Sequence, residues 1–276
     1  MTSFRSFRSF RAAAAIALLL ASSITVAGTV KYIEVTSPEA MLAAKENLVS
    51  TFKYHLRGAQ RYAAAHGPAT TTERAYTGFR MEWAKATAAQ VKYRWIDSTG
   101  RPRTTLYHGL SGRVAAAALP RETGVPVPSF DMPDWAQYYS DVNPNVYARI
   151  PDGEHSILEE SMAGDSTARL GRGYDAEMRA LRTIERDILA GNIPRGGVIA
   201  AWVSQPPCQA CRKAFQIFSD AYHVNIHVIH LPAYEPGATG DVRLFQMTKN
   251  RMLRDFHLRV ENERAGKIAD NFCPRM

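Results

Sequence analysis

Residues 197–215 read Gly-Val-Ile-Ala-Ala-Trp-Val-Ser-Gln-Pro-Pro-Cys-Gln-Ala-Cys-Arg-Lys-Ala-Phe, and this stretch decides the fold. A β-branched and aromatic run stops at two prolines, two cysteines follow, and apolar residues then recur at helical spacing as far as Tyr222. The pattern predicts a strand, a loop and a helix, with Cys208 and Cys211 at the helix N-terminus. The helix dipole and the free backbone N–H groups favour thiolates there, which suits either a metal site or a redox nucleophile.

The segments around this stretch alternate between helical and extended patterns. Residues 174–190 repeat apolar groups on one helical face, residues 225–231 form an extended run, and residues 243–264 are helical again. Helix, strand, helix and strand in this order predict βαβ crossovers and a sheet with parallel neighbours. We therefore expect an α/β fold in which residues 153–276 form a three-layer α/β/α domain with a mixed sheet.

The first half of the chain predicts a smaller α+β region over residues 31–118. Ser37 is a helix cap followed by Pro38 at the first helical position, and apolar spacing continues the helix towards Gly67. Alternating segments separated by turn residues then predict a hairpin or a small sheet. These segments are 79–83, 90–95 and 103–108.

A proline-rich stretch separates the two halves. Residues 119–152 contain six prolines interleaved with Trp135 and three tyrosines, which is typical of a linker or of an arm laid across a neighbour. We therefore expect a linker over residues 119–152 and a domain boundary near residue 150. Residues 156–162 are expected to form a strand just after it.

The N-terminus has the composition of a targeting segment. Ser-Phe-Arg occurs three times in residues 3–11, and the 19 residues from Ala12 to Val30 carry no charge. A basic region before an apolar stretch predicts a signal peptide or a membrane anchor over residues 1–30. The positive-inside rule then predicts a chain exported across, or anchored in, the bacterial cytoplasmic membrane. The choice between a cleaved signal and an uncleaved anchor stays open.

Composition sets broad limits on function. An apolar fraction of 46% supports a folded core, and a formal charge of +8 favours an anionic partner such as nucleic acid or an acidic membrane face. A basic surface that is merely solvated explains the charge equally well. The three cysteines, Cys208, Cys211 and Cys273, are too few for a disulfide framework in a chain of 276 residues.

The two clustered cysteines leave a zinc site incomplete. A catalytic zinc takes three protein ligands and a water, so two thiolates need one more residue. Asp175-Ala176-Glu177 begins the preceding predicted helix, as Cys208 begins the next, so the two helix starts are placed to converge. His155 is the alternative third ligand, although no glutamate follows it two residues later.

Asp175-Ala176-Glu177 and Pro207-Cys208-Gln209-Ala210-Cys211 resemble the His-x-Glu and Pro-Cys-x-x-Cys motifs of the cytidine deaminase-like superfamily. The resemblance covers residues 174–231 and is strongest to bacterial toxin-type deaminases of nucleic acids or nucleotides, in which aspartate replaces the histidine. It implies that residues 153–276 form a deaminase-like domain.

The resemblance also implies an activity. Zinc would be held by Asp175, Cys208 and Cys211, Glu177 would be the catalytic proton carrier, and a nucleobase, most often cytosine, would be deaminated hydrolytically in nucleic acid or in a nucleotide. The implied partners are this substrate, the membrane where the N-terminus is uncleaved, and the cognate immunity protein of a toxin.

Two other functions fit parts of the pattern. A strand, a Cys-x-x-Cys and a helix also form the active site of thioredoxin-like thiol-disulfide oxidoreductases, which would use Cys208 and Cys211. Prolines before the first cysteine are atypical of that motif, and it leaves Asp175 and Glu177 unexplained. A structural zinc site, or a non-catalytic membrane-anchored binding protein with a degenerate deaminase fold, is favoured by the aspartate, because its charge makes the zinc less Lewis acidic.

Overall fold

The structure is a computed structural model that describes most of the chain in seven segments. The described residues are 28–66, 73–112, 136–139, 144–149, 155–162, 175–233 and 241–272. Six strands occur in them: β1 (Val30–Glu34), β2 (Ala88–Ile96), β3 (Pro102–Leu110), β4 (Asn145–Tyr147), β5 (Val198–Val203) and β6 (Asn225–His230). They form one sheet in the order β1-β6-β5-β2-β3-β4.

Helices cover both faces of this sheet. They are α1 (Pro38–His66), α2 (Glu73–Lys85), α3 (Ala176–Leu189), α4 (Gln209–Tyr222) and α5 (Asp241–Phe272), with a 3₁₀ helix at Ile157–Met162. One face packs against α1, with α2 and α5 beside it, and the other packs against α3 and α4. The predicted α/β fold is confirmed at this level.

The sheet is mixed, also as predicted. β5 is parallel to β6, and β6 is parallel to β1, whereas β2 is antiparallel to both β5 and β3. β5, α4 and β6 therefore form the expected βαβ crossover. β3 and β5 end at the same edge of the sheet, because Leu110 and Val203 lie opposite Ala88 and Ala89 at the start of β2. That edge positions the site described below.

The strands of both halves of the chain share this sheet. Val91 of β2 lies opposite Ala201 of β5, so the expected smaller α+β region of residues 31–118 and the expected domain of residues 153–276 are joined by strand pairing. β4 lies within the expected linker, residues 119–152, and is parallel to β3. The rest of that range, apart from residues 136–139 and 144–149, is outside the described residues. Alternating patterns identify strands but not their partners, which explains the difference.

Two segments predicted as strands are helical. Residues 79–83 lie in α2, where Met81 is 51% exposed while Trp83 is 1% exposed, although a strand would put both side chains on one face. Residues 157–162 form the 3₁₀ helix, in which Leu158 and Ser161 are both buried. Their spacing of three fits the 3₁₀ repeat, so the strand assignment was wrong.

β1 is a strand that the sequence interpretation missed. It follows directly after the apolar N-terminal segment and pairs along its length with β6, where Val30 lies opposite Ile226. The predicted cap of α1 is confirmed, because Ser37 accepts a hydrogen bond of 3.2 Å from the N–H of Ala40.

The N-terminal targeting call concerns residues that are mostly not described. Of residues 1–30, only the last three lie within the described part of the chain. Among the helices of the described segments, none combines the length with the apolar content that a membrane span requires.

Aromatic packing anchors the face under α1. Phe52 of α1 and Trp83 of α2 are both fully buried, and their rings meet edge to face with centroids 5.7 Å apart. Such a pair contributes about 1 kcal/mol beyond the burial of its area. This contact fixes α2 against α1. The opposite face is filled by α3 and α4 through Leu181, Ile184, Phe215 and Phe218, each fully buried.

Candidate metal centre

The first turn of α3 presents an aspartate that does not cap its own helix. Asp175 is the N-cap, with φ −66° and ψ 141°, yet its side chain makes no capping hydrogen bond. An N-cap aspartate ordinarily accepts a backbone N–H bond worth about 1 kcal/mol. Oδ2 of Asp175 instead lies beside the thiols of Cys208 and Cys211. The carboxylate is thus directed away from its helix towards another element.

The first turn of α4 brings two sulfurs to the same point. Cys208 is its N-cap, and its Sγ accepts a hydrogen bond of 3.4 Å from the N–H of Cys211. The loop before it is held by Arg212, whose Nε donates to the carbonyl of Pro207 at 3.2 Å. Two helix N-termini therefore face each other, and both place partial positive charge near these acidic groups.

The three candidate ligand atoms have the spacing of a tetrahedral site. Oδ2 of Asp175 lies 3.7 Å from Sγ of Cys208 and 3.5 Å from Sγ of Cys211, and all three ligand atoms lie within 4.8 Å of one another. Tetrahedral zinc with bonds of about 2.3 Å to sulfur and 2.1 Å to oxygen separates sulfur from oxygen by about 3.6 Å. The carboxylate–thiol distances fit a zinc ion, and they also fit thiols that donate to the carboxylate in its absence.

Glu177 lies in the same turn of α3 and is almost completely buried, with 5% of its surface exposed. Burial raises its pKa to about 8 and is the largest cause, while its own backbone N–H lowers the pKa. The charges of Asp175 and Cys208 raise it further. The carboxyl of Glu177 is therefore close enough to the candidate ligands to interact with them electrostatically.

The two cysteines differ in access. Cys211 is 1% exposed, whereas Cys208 and Asp175 are half-buried, so the cluster opens on their side. The pKa of the Cys211 thiol is raised far above its usual range, first by its hydrogen bond with Cys208 and then by burial. Glu177 and Asp175 raise the pKa of this thiol further. A cation would relieve this concentration of acidic groups.

β3 supports the centre from behind. A Cβ added to Gly109 would lie 2.2 Å from the carbonyl oxygen of Ala176 and 3.0 Å from its carbonyl carbon. The backbone of β3 thus approaches the first turn of α3 so closely that only glycine fits. The sequence interpretation missed Gly109, although a glycine inside a strand is the usual signal of such an approach.

The four residues predicted for the site are therefore neighbours: Asp175, Cys208 and Cys211 form one cluster, and Glu177 lies beside them. Their roles as ligands and proton carrier stay predictions. The alternative ligand His155 is exposed and does not belong to the cluster. Cys273 lies outside the described residues.

Comparison of the chain with protein-family models, with curated proteins and with solved structures finds no match. The chemistry of the centre has to be inferred from its own residues.

Proposed function

We propose that this chain is a zinc-dependent hydrolytic deaminase of a nucleobase, acting on cytosine in nucleic acid or in a nucleotide. The observation that carries the proposal is the position of Oδ2 of Asp175, 3.7 and 3.5 Å from the two cysteine sulfurs and beside the buried Glu177. The α/β fold with a mixed sheet is compatible with the three-layer domain of that superfamily.

The donor set suits zinc better than harder cations. Two thiolates select soft or borderline metals, and Asp175 completes three protein ligands, which leaves a fourth tetrahedral position. That position would lie on the open side of the cluster, because Cys211 is buried while Cys208 and Asp175 are half-buried. A zinc ion bound there would lower the pKa of a water at the open position towards 7.

Glu177 is the residue we assign to proton transfer. Its buried carboxyl lies beside the cluster and has no competing role in capping α3 that requires exposure to solvent. It would accept a proton from the attacking water and deliver it to the ring nitrogen and the leaving amine. The C–N bond of the exocyclic amine breaks, a C–O bond forms, and ammonia leaves, so cytosine and water are converted to uracil and ammonia.

The geometry argues against a thiol-disulfide oxidoreductase. A redox cysteine needs a stabilised thiolate, whereas Asp175 brings a negative charge to within 3.7 Å of both sulfurs. Without a cation this charge disfavours the thiolate. The same charge suits a site in which a metal ion neutralises all three ligands.

The aspartate itself can be tested by exchange. Because imidazole and carboxylate oxygen bind zinc at nearly equal distances, we expect Asp175→His to retain zinc, while Asp175→Ala loses affinity. The neutral ligand leaves the zinc more Lewis acidic, so Asp175→His should deaminate at least as fast as the wild type. Zinc content and base conversion are measured on the same preparations.

Activity is tested by sequencing DNA and RNA after incubation with wild type and with Glu177→Gln. We expect cytosine conversions with the wild type and none with Glu177→Gln, while zinc content is unchanged. Glu160→Gln is the control, since Glu160 is exposed and pairs only loosely with Lys213 at 3.7 Å. Equal conversion by wild type and Glu177→Gln, or no conversion by either, contradicts the proposal.

Export and toxicity form a second part of the proposal. They rest on the composition of residues 1–30 and on the motif resemblance alone. Fractionation of expressing cells, with and without residues 1–30, tests them: the full chain is expected outside the cytoplasm and the truncated chain inside it.

A further inference from the structure

A groove runs along the outer side of α1, on the sheet face opposite the metal centre. It consists of three adjoining cavities of about 310, 340 and 160 Å³. Arg57 lines all three, Lys53 lines two of them, and Tyr54 and Asn145 join the second to the third. The cavities are therefore parts of one continuous depression, here called the α1 groove.

Cations line the α1 groove at regular spacing. Lys53, Arg57 and Arg61 follow one another at intervals of four residues, which places successive charges about 6 Å apart along the helix axis. All three are exposed, and Arg259 of α5 adds a fourth charge, against the acidic Glu46 and Asp255. Neither Lys53 nor Arg57 forms an ion pair with any residue that the structure describes. The groove therefore carries net positive charge that its own side chains do not neutralise.

The floor of the groove is polar and held in place. Buried His108 of β3 bonds through Nδ1 to Thr51 of α1 at 2.8 Å and through Nε2 to Asn145 of β4 at 2.7 Å. Tyr54 stacks on the His108 ring with centroids 4.5 Å apart and planes at 25°. These contacts link α1, β3 and β4, so the shape of the groove does not depend on a ligand.

Half-buried tyrosines stand beside the cations. Tyr54 lines the groove between Lys53 and Arg57, and Tyr138 lines its far end near Arg61, which donates to the Tyr138 carbonyl at 3.3 Å. A basic groove interleaved with aromatic rings is the arrangement with which proteins bind single-stranded nucleic acid, because cations contact phosphates and rings stack on bases. A free nucleoside would use neither the length nor the repeated charges.

We infer that the α1 groove binds the backbone of a single-stranded polynucleotide, outside the metal centre. The inference rests on the proposed function in one respect: it names a polymer, rather than a free nucleoside, as the substrate. Binding in the groove itself is independent of deamination.

The groove and the metal centre are close enough to serve one strand. His108 and Gly109 are consecutive in β3, and alternation directs the first towards the groove and the second towards α3, where it meets Ala176. The two sites therefore lie on opposite faces near the end of the same strand, about 10 Å apart in the direction of sheet packing. A strand anchored on α1 can pass the end of β3 and present its next bases to Asp175 and Glu177.

Fluorescence anisotropy with labelled single strands tests the groove. DNA and RNA strands of equal length and sequence are titrated into wild type, into Lys53→Glu/Arg57→Glu, and into the control Arg251→Glu/Arg254→Glu. The control residues are exposed on α5, carry the same charge change and do not line the three cavities. At about 50 mM salt the groove variant should bind at least tenfold more weakly than the control, and its salt slope should fall by about 1.4 for two lost phosphate contacts.

Each outcome decides the matter. Tight binding to DNA, to RNA or to both, weakened in the groove variant alone, supports the inference and identifies the preferred sugar. Equal weakening in the control, equal affinity for a mononucleotide, or equal affinity for inorganic polyphosphate overturns it. The titrations are repeated with Glu177→Gln, which should bind like the wild type. Intact binding without any base conversion by the wild type would overturn the proposed function and leave the groove in place.

Discussion

Gly109→Ala tests whether β3 positions the candidate metal ligands. The new Cβ would lie 2.2 Å from the carbonyl oxygen of Ala176, the residue between Asp175 and Glu177. A carbon and a carbonyl oxygen in contact stay about 3.3 Å apart, so the backbones of β3 and α3 must separate by about 1 Å. Both contacting atoms belong to the backbone, and no side-chain rotation can relieve the clash.

That displacement is large for a metal site. Ligand distances in a working site hold within about 0.2 Å, so a shift of the first turn of α3 moves Asp175 out of range of a metal bound by the cysteines. Loss of an orienting contact typically lowers metal affinity about 10- to 100-fold. The overpacking itself should also destabilise the fold by about 1–3 kcal/mol.

Gly197→Ala is the matched control. Its Cβ would lie 2.5 Å from the Tyr93 ring and 2.7 Å from the Arg94 carbonyl oxygen, so it creates a comparable clash. Gly197 precedes β5, however, at the opposite end of that strand from Cys208. Zinc affinity, measured by competition with a chromophoric chelator, should fall only in Gly109→Ala, while urea unfolding should show both variants destabilised. Equal zinc affinities in wild type and Gly109→Ala would refute the assigned role of β3.

Three further predictions concern the buried polar groups and the close packing around α1. Burial, followed by the charges of His108 and a nearby arginine, lowers the pKa of His55 well below 6.5, so as the pH falls below 6.5 the unfolded chain takes up a proton that the folded chain does not. Stability should therefore fall towards about pH 5, by at most about 1.4 kcal/mol per unit, and urea midpoints should fall less steeply in His55→Gln. Tyr107→Phe removes the 2.9 Å bond to buried Asp187 and should cost about 1–3 kcal/mol in urea unfolding; an unchanged midpoint would contradict this. Gly58→Ala forces a Cβ to 2.4 Å from the Tyr139 ring, so thermal unfolding should occur at a lower temperature, and a higher one would refute the packing.

The local order around the cysteines is predictable from the sequence for physical reasons. A β-branched run can bury both faces of β5, two prolines stop it, and regular apolar spacing marks α4, so each element follows from short-range pattern. The convergence of Asp175 with Cys208 follows in turn, because helices that begin at the same sheet edge bring their first turns together.

The rest depends on long-range pairing that no local pattern contains. β2 lies beside β5 although more than 100 residues separate Val91 from Ala201, and β1 pairs with β6 from the far end of the chain. The alternating residues 79–83 look extended, yet burial of Trp83 against Phe52 favours a helix. Gly109 matters only because Ala176 lies behind it, which a strand pattern alone does not reveal.

The most direct test of the central claim is the zinc content and X-ray absorption spectrum of the purified protein. We expect one zinc per chain, with two sulfur neighbours at about 2.3 Å and light-atom neighbours at about 2.0–2.2 Å, and loss of the metal in Cys208→Ala. A metal-free protein in which Cys208 and Cys211 form a disulfide would contradict the claim, as would zinc bound equally well by wild type and Cys208→Ala.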